Sequence, residues 1–245
     1  MNFTFDPYVG CCYGKSESLF NKKIIVVGAS HYYYCCEKCM KQYFLAGNKT
    51  APYALLSSNC ETEEHLFTKK VVESYIQGKL ALSSYTKFIN AVLNFNSSPC
   101  DRKDFFSSAI FYNYLQEIEG VNANDKHPEK FCDEKRKARD LYLFKELLSV
   151  YTPDVVLVWG SNVWNALPEE LEEKSPRQKV DDSKINMRDR IWDYSFGKKI
   201  IRFCACLHPS YSRFNKQDHR QMFDLCGIEV KKNRNSAFFC AQKRR

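Results

Sequence analysis

The sequence predicts an α/β fold built on a parallel sheet that is covered on both faces, and three observations carry that expectation. Short, continuously apolar runs recur along the 245-residue chain, amphipathic segments of helical period fall between them, and no repeat or low-complexity tract interrupts the pattern. Helices between consecutive buried strands imply crossover connections, which leave neighbouring strands parallel.

The first run, Lys22-Lys23-Ile24-Ile25-Val26-Val27-Gly28, is β-branched and ends on glycine, as suits a strand buried on both faces. Thr62, followed by Glu63 and Glu64, reads as an N-cap, and Phe67, Val71, Val72, Tyr75 and Ile76 then recur at helical spacing until Gly78. A second helix is expected over 85–93. Within the aromatic stretch 105–115, the centre from Ala109 to Tyr112 reads as a strand with Asn113 just after it. Leu141, Phe144, Leu147 and Leu148 share one face of a helix that must end near Pro153, because proline disfavours helical geometry at the residue before it. Asp154-Val155-Val156-Leu157-Val158-Trp159-Gly160 repeats the design of the first strand. Residues 199–207 supply a fourth, which runs directly into His208-Pro209-Ser210. The charged stretch 168–193 reads as a surface excursion.

Composition narrows the function classes. Hydrophobic residues make up 44% and aromatics 15%, enough for a substantial core, which excludes global disorder and a small disulfide-stapled scaffold. No apolar run approaches the roughly 20 residues of a membrane helix, and residues 1–10 lack a signal-peptide pattern. The protein is therefore expected in the cytosol, away from membranes, with its twelve cysteines mostly reduced. The net charge of +8 is unevenly placed: residues 198–245 hold twelve Lys or Arg against three acids, and the rest of the chain is close to neutral. That asymmetry fits a polyanionic partner such as nucleic acid, or a solubilising tail.

In parallel sheets ligands bind outside the carboxyl ends of the strands. Residues with chemistry gather there: Gly28-Ala29-Ser30-His31-Tyr32, Asn113, Trp159-Gly160-Ser161 and His208-Pro209-Ser210. Taken singly, Asn113 suits a turn cap, His208 a satisfied loop histidine, and Tyr32, one of three consecutive tyrosines, the core. Their shared placement is what points to a site. Two competing motifs fail on spacing or context. Gly10 to Ser16 has three residues between its glycines where a phosphate loop has four, and no strand is read before it; Gly28 lacks the later glycines of a dinucleotide fingerprint.

In this order and context the four motifs resemble the uracil-DNA glycosylase superfamily. That family carries a glycine-led loop after its first strand, an asparagine after its second and a histidine-proline-serine loop after its last, and Leu157-Val158-Trp159-Gly160 is similar to its tryptophan-glycine strand end. The resemblance spans about residues 22–225. It implies a three-layer α/β/α sandwich with a central four-stranded parallel sheet, in one domain over 1–230 followed by a basic tail over 231–245. It also implies cleavage of the N-glycosidic bond of uracil or another deaminated or modified base, with single- or double-stranded DNA as partner and no organic cofactor. The target base would be extruded into a pocket lined by Gly28 and Ala29. Asn113 would read it, since one amide offers both a donor and an acceptor. Tyr32 would wall the pocket against a C5-methyl group. His208 would donate a hydrogen bond to the base O2 as negative charge develops, a contribution of about 3 to 4 kcal/mol for a preorganised donor. Ser210 would hold a phosphate, assisted by Arg202, Arg213 and Lys216.

Two positions depart from the family. Its aspartate, third in the first loop, is Ser30 here; slow turnover, use of His31 instead, and a nucleic-acid-binding module without chemistry each fit that change. The family's leucine wedge falls near Ser212, with Phe214 as the nearby apolar substitute. Separately, Cys36 and Cys39 form a C-x2-C unit and Cys60 follows 21 residues later. The set is compatible with structural zinc if Cys35, His31 or His65 completes four ligands, or with unmetallated thiols.

Overall fold

The structure is a computed structural model that describes residues 5–29, 67–116, 134–173, 175–180 and 190–231. Its strands are β1 (Tyr8–Val9), β2 (Ile24–Gly28), β3 (Ala109–Asn113), β4 (Val155–Trp159), β5 (Glu170–Glu172), β6 (Ser175–Pro176), β7 (Gln178–Lys179), β8 (Ile191–Phe196) and β9 (Lys199–Cys206). Its helices are α1 (Phe67–Ile76), α2 (Ser83–Leu93), α3 (Pro99–Ser108), α4 (Glu134–Tyr151), α5 (Ser161–Ala166) and α6 (Lys216–Leu225).

Seven strands form one mixed sheet in the order β1-β3-β2-β4-β9-β8-β7, and β5 and β6 pair separately. The sheet is therefore larger than four parallel strands. Four consecutive members, β3, β2, β4 and β9, do run parallel, and antiparallel strands extend both edges. The extension through β8 was hidden in the sequence by its charged surroundings. Ile191 and Tyr194 point into the molecule while Asp193 pairs with Arg202, and the two-residue turn Gly197-Lys198, with Gly197 at φ 61°, closes the hairpin onto β9.

Side chains alternate along each parallel strand and so build two cores. Ile24, Val26, Phe111, Leu157, Trp159 and Cys204 join one cluster with Val72 and Tyr75 of α1, Phe88 and Val92 of α2, Phe105 and Phe106 of α3, and Phe223 of α6. Ile25, Val27, Ile110, Val156, Val158 and Phe203 face the other way, onto Phe144, Leu147 and Leu148 of α4 and Val163 of α5. Every residue of β2, β3 and β4 is buried, which is why these segments read as unbroken apolar runs.

Helix α3 was not expected. Residues 105–108 belong to it, and the strand begins only at Ala109. A reciprocal capping box between Ser98 and Asp101, with Pro99 in the first turn, starts it. The signal was legible, but its apolar face runs straight into the strand and merges with it. Helix α4 ends at Tyr151, and Thr152 turns the chain at φ 42° ahead of Pro153. The two residues of β1 do precede Gly10, contrary to expectation. The glycine there serves packing, since a Cβ would lie 2.2 Å from the Phe106 carbonyl oxygen. Among the described residues no helix is long and apolar enough to cross a membrane, and all six described cysteines are free thiols. Thr62 and residues 232–245 of the tail lie outside the described residues, while Lys231 is tied through its ammonium group to the Ser16 carbonyl.

Candidate functional site at the carboxyl ends of the strands

Strand register brings the expected residues to one level. Gly28 pairs with Asn113, Val27 with Val158, and Trp159 with Cys206, so the carboxyl ends of the four parallel strands finish together. Asn113 is the last residue of β3 rather than the first beyond it, and its side chain is buried. Backbone hydrogen bonds then tie the two exits together: Tyr114 N–H donates to Gly28 O and Leu115 N–H to Ala29 O, each at 2.9 Å. Gln116, fully buried, donates to the Asn113 carbonyl at 2.8 Å and accepts from Phe5 N–H at 3.0 Å, which fixes the turn after Asn113. Sequence reasoning missed Gln116, and no local pattern marks it.

Gly28 owes its identity to this neighbour. A Cβ there would stand 2.4 Å from Asn113 Oδ1 and 3.2 Å from the ring edge of Phe111. The Asn113 amide therefore lies over the end of β2, in the space that a side chain would fill. Next along the same face is Trp159, whose ring centroid is 5.3 Å from that of Phe111 and 5.9 Å from that of His208. The His208 contact is edge-on, at 87°. Asn113, Phe111, Trp159 and His208 thus form a continuous line of contacts above the sheet. Trp159 is packed from behind by Phe88 and Tyr85, and its Nε1–H is buried with no hydrogen-bond partner among the described residues. Such a donor costs about 1 to 3 kcal/mol. Gly160 follows at φ 88°, a conformation that favours glycine, and its N–H donates to Cys206 O at 2.8 Å.

The histidine loop is held at both ends. His219 of α6, itself buried, accepts at Nε2 from Leu207 N–H (3.1 Å), and its Nδ1 lies 2.6 Å from Asn215 O, so the proton of its neutral ring sits on Nδ1. One ring thereby staples the start of the loop to the start of the helix. Asn215 caps that helix, accepting from Gln217 and Asp218 N–H. Sequence reasoning also missed His219; the Asn215 cap, which places it on the first inward turn of α6, is the signal that could have found it.

His208 is half-buried. Its Nδ1 accepts from Ser210 N–H at 3.2 Å and lies 2.6 Å from Ser210 Oγ. A ring nitrogen that accepts from a backbone amide carries a lone pair, so the proton of the neutral ring belongs on Nε2. Burial pushes the His208 pKa down, which favours that neutral form. The result is a neutral imidazole presenting one fixed N–H donor beside Trp159.

Other expectations need correction. Arg202 cannot assist at His208: it pairs with Val155, the first residue of β4, and its guanidinium is bound by Asp193 at 2.8 Å and by the Leu225 carbonyl. Arg202 stands four residues before the carboxyl end of β9 at Cys206, about 13 Å of extended strand. Phe214 is not free to act as a wedge either, because its ring stacks on His219 with centroids 4.1 Å apart. Ser210 and Arg213 are exposed on the loop, and Lys216 is half-buried at the start of α6. Ser30, His31, Tyr32, Cys36, Cys39 and Cys60 lie outside the described residues, as do Cys35 and His65. Among the described residues no three potential metal ligands stand together. The sequence matches no family model and no curated protein.

Proposed function

We propose that this chain is a base-excision glycosylase of the uracil-DNA glycosylase type, cleaving the N-glycosidic bond of uracil or another deaminated or modified base in DNA. The observation that carries the reading is the line from Asn113 over Gly28 to Trp159 and His208. It puts an amide with both donor and acceptor and a neutral imidazole N–H donor on one face at the strand ends, linked through Phe111 and Trp159. A pyrimidine entering there meets Asn113 along its pairing edge and His208 Nε2–H at O2. As the glycosidic bond breaks, its electron pair passes to the base, and the Nε2–H stabilises the charge that collects on O2. Water then adds to the sugar carbon, and the proton it loses neutralises the departing base anion. Ser30 or His31 would hold that water, the place where the family has an acid. Arg213 would take the phosphate, because the Ser210 hydroxyl already donates to His208 Nδ1. The finer fold in this reading is an α/β/α sandwich whose central unit is the four parallel strands, supported by the two separate cores on their faces.

A second reading, a nucleic-acid-binding module of the same fold without chemistry, is favoured by the serine at position 30. Incubation with uracil-containing single- and double-stranded oligonucleotides, scored for abasic sites, separates the two. Release that vanishes in both His208→Ala and Asn113→Ala supports the enzyme, whereas binding without release selects the module.

A further inference from the structure

We infer that Tyr211 is a stacking platform for the base next to the one held by Asn113 and His208, and that the substrate is single-stranded DNA; the inference rests on the reading proposed above. Tyr211 is the exposed aromatic residue of the histidine loop, with 51% of its surface open, and its ring centroid lies 5.9 Å from that of His208. Its backbone is pinned by two successive turns: Tyr211 N–H donates to His208 O at 2.9 Å, and Phe214 N–H donates to Tyr211 O at 3.1 Å. With only two side-chain torsions left, the ring loses little freedom when a base settles on it. Ser210, Ser212 and Arg213 around it are exposed. The Ser212 hydroxyl and the Arg213 guanidinium can donate to the phosphates on either side of a stacked base.

The same loop is poorly built for duplex DNA. A wedge must fill the gap left by an extruded base, yet Ser212 is small and polar and Phe214 is committed to His219. Nor does the start of α6 offer free amides for a duplex phosphate, because the Asn215 side chain already accepts from Gln217 and Asp218, and Asp218 adds negative charge. In a duplex the neighbouring base is stacked and paired, so its face is hidden from a ring at the mouth of the site. In a single strand that face is open to any aromatic surface.

The test is a fluorescence-anisotropy titration of the full chain with a labelled uracil-containing 15-mer, single-stranded and as a duplex, together with uracil release from each. Tyr211→Ala should weaken single-strand binding about tenfold and leave duplex binding unchanged, while Tyr211→Phe retains the affinity. Tyr211→Trp should show quenching of tryptophan fluorescence by the strand beyond that of the wild type, whose Trp159 lies at the same site. An unchanged thermal midpoint verifies that each variant is folded. If the wild type binds and releases uracil but Tyr211→Ala binds single strands as well as it does, the stacking role is wrong and the glycosylase reading stands. A larger loss on duplex than on single strand overturns the inference in favour of an aromatic wedge. A wild type that neither binds nor releases uracil removes the site reading itself, and the stacking role with it.

Discussion

The two ends of the parallel strands carry similar side chains and use them differently. At the amino ends, charge is answered by charge or by backbone. Asp154 accepts from Lys23 N–H and pairs with the Lys199 ammonium, each at 2.7 Å, while Lys199 also donates to the Thr152 carbonyl and Arg202 pairs with Asp193. At the carboxyl ends, the Trp159 N–H is buried with no partner among the described residues, and Ser210 engages His208 Nδ1, which leaves Nε2–H as the donor of the ring. One end holds the fold together, and the other holds donors in readiness. Under the proposed reading, the Trp159 donor, without a partner among the described residues, lies at the end of the sheet where a ligand would bind.

Substitutions at the two ends should therefore separate activity from stability. The largest expected effect is His208→Ala, which should lower uracil release by about 10² to 10³-fold with little change in thermal midpoint, since the side chain is half-buried and its nitrogen partners are local. Next comes Gly28→Ala. Its Cβ would meet the Asn113 amide at 2.4 Å, so the amide must move, at a cost of about 1 to 3 kcal/mol in denaturant unfolding and with loss of base recognition. Asp154→Ala tests the other end. It removes a partly buried pair and should cost about 1 kcal/mol while leaving uracil release as in the wild type. Burial alone would raise the Asp154 pKa, but the Lys199 pair and the Lys23 amide outweigh it and hold the group below its ordinary value. That part of the stability is therefore present at neutral pH and is lost as pH falls through the lowered value. If Asp154→Ala abolished release, or His208→Ala unfolded the protein, the division between the two ends would fail.

How much of this was legible in the sequence follows the same division. Buried parallel strands show as unbroken β-branched runs because both faces are apolar, and so Ile24–Gly28 and Val155–Trp159 could be read directly. The edge strand Ile191–Phe196 could not, because its half-exposed positions look like a loop and its pairing depends on the distant β9. In the site, Gly28, Asn113 and His208 were found because they sit where strands stop. Gln116 and His219 act through contacts with Phe5 and Leu207, 111 and 12 residues away, which no local pattern encodes. Arg202 was misplaced for a related reason: composition shows a basic segment, but only the register of β9 shows which end of the sheet each charge reaches.

The smallest effect is the most specific test of the stapled loop. His219 is buried, which lowers its pKa; the Asn215 carbonyl and Asp218 oppose that shift, and Arg190 adds to it. Because Nε2 must accept from Leu207 N–H, protonating the ring breaks the staple. Above about pH 6.5 the histidine is neutral in both folded and unfolded chains, so it contributes no pH dependence. Below that value the unfolded chain takes up a proton that the native chain refuses, and stability falls with pH until the lowered native pKa is reached. The slope is at most about 1.4 kcal/mol per pH unit for one histidine. His219→Gln keeps an acceptor and a donor near the two ring nitrogens but cannot titrate. Urea unfolding at pH 7.5 and pH 5.5 should show a smaller loss in this variant than in the wild type. An equal loss in both would mean that the loop is held by something other than this ring.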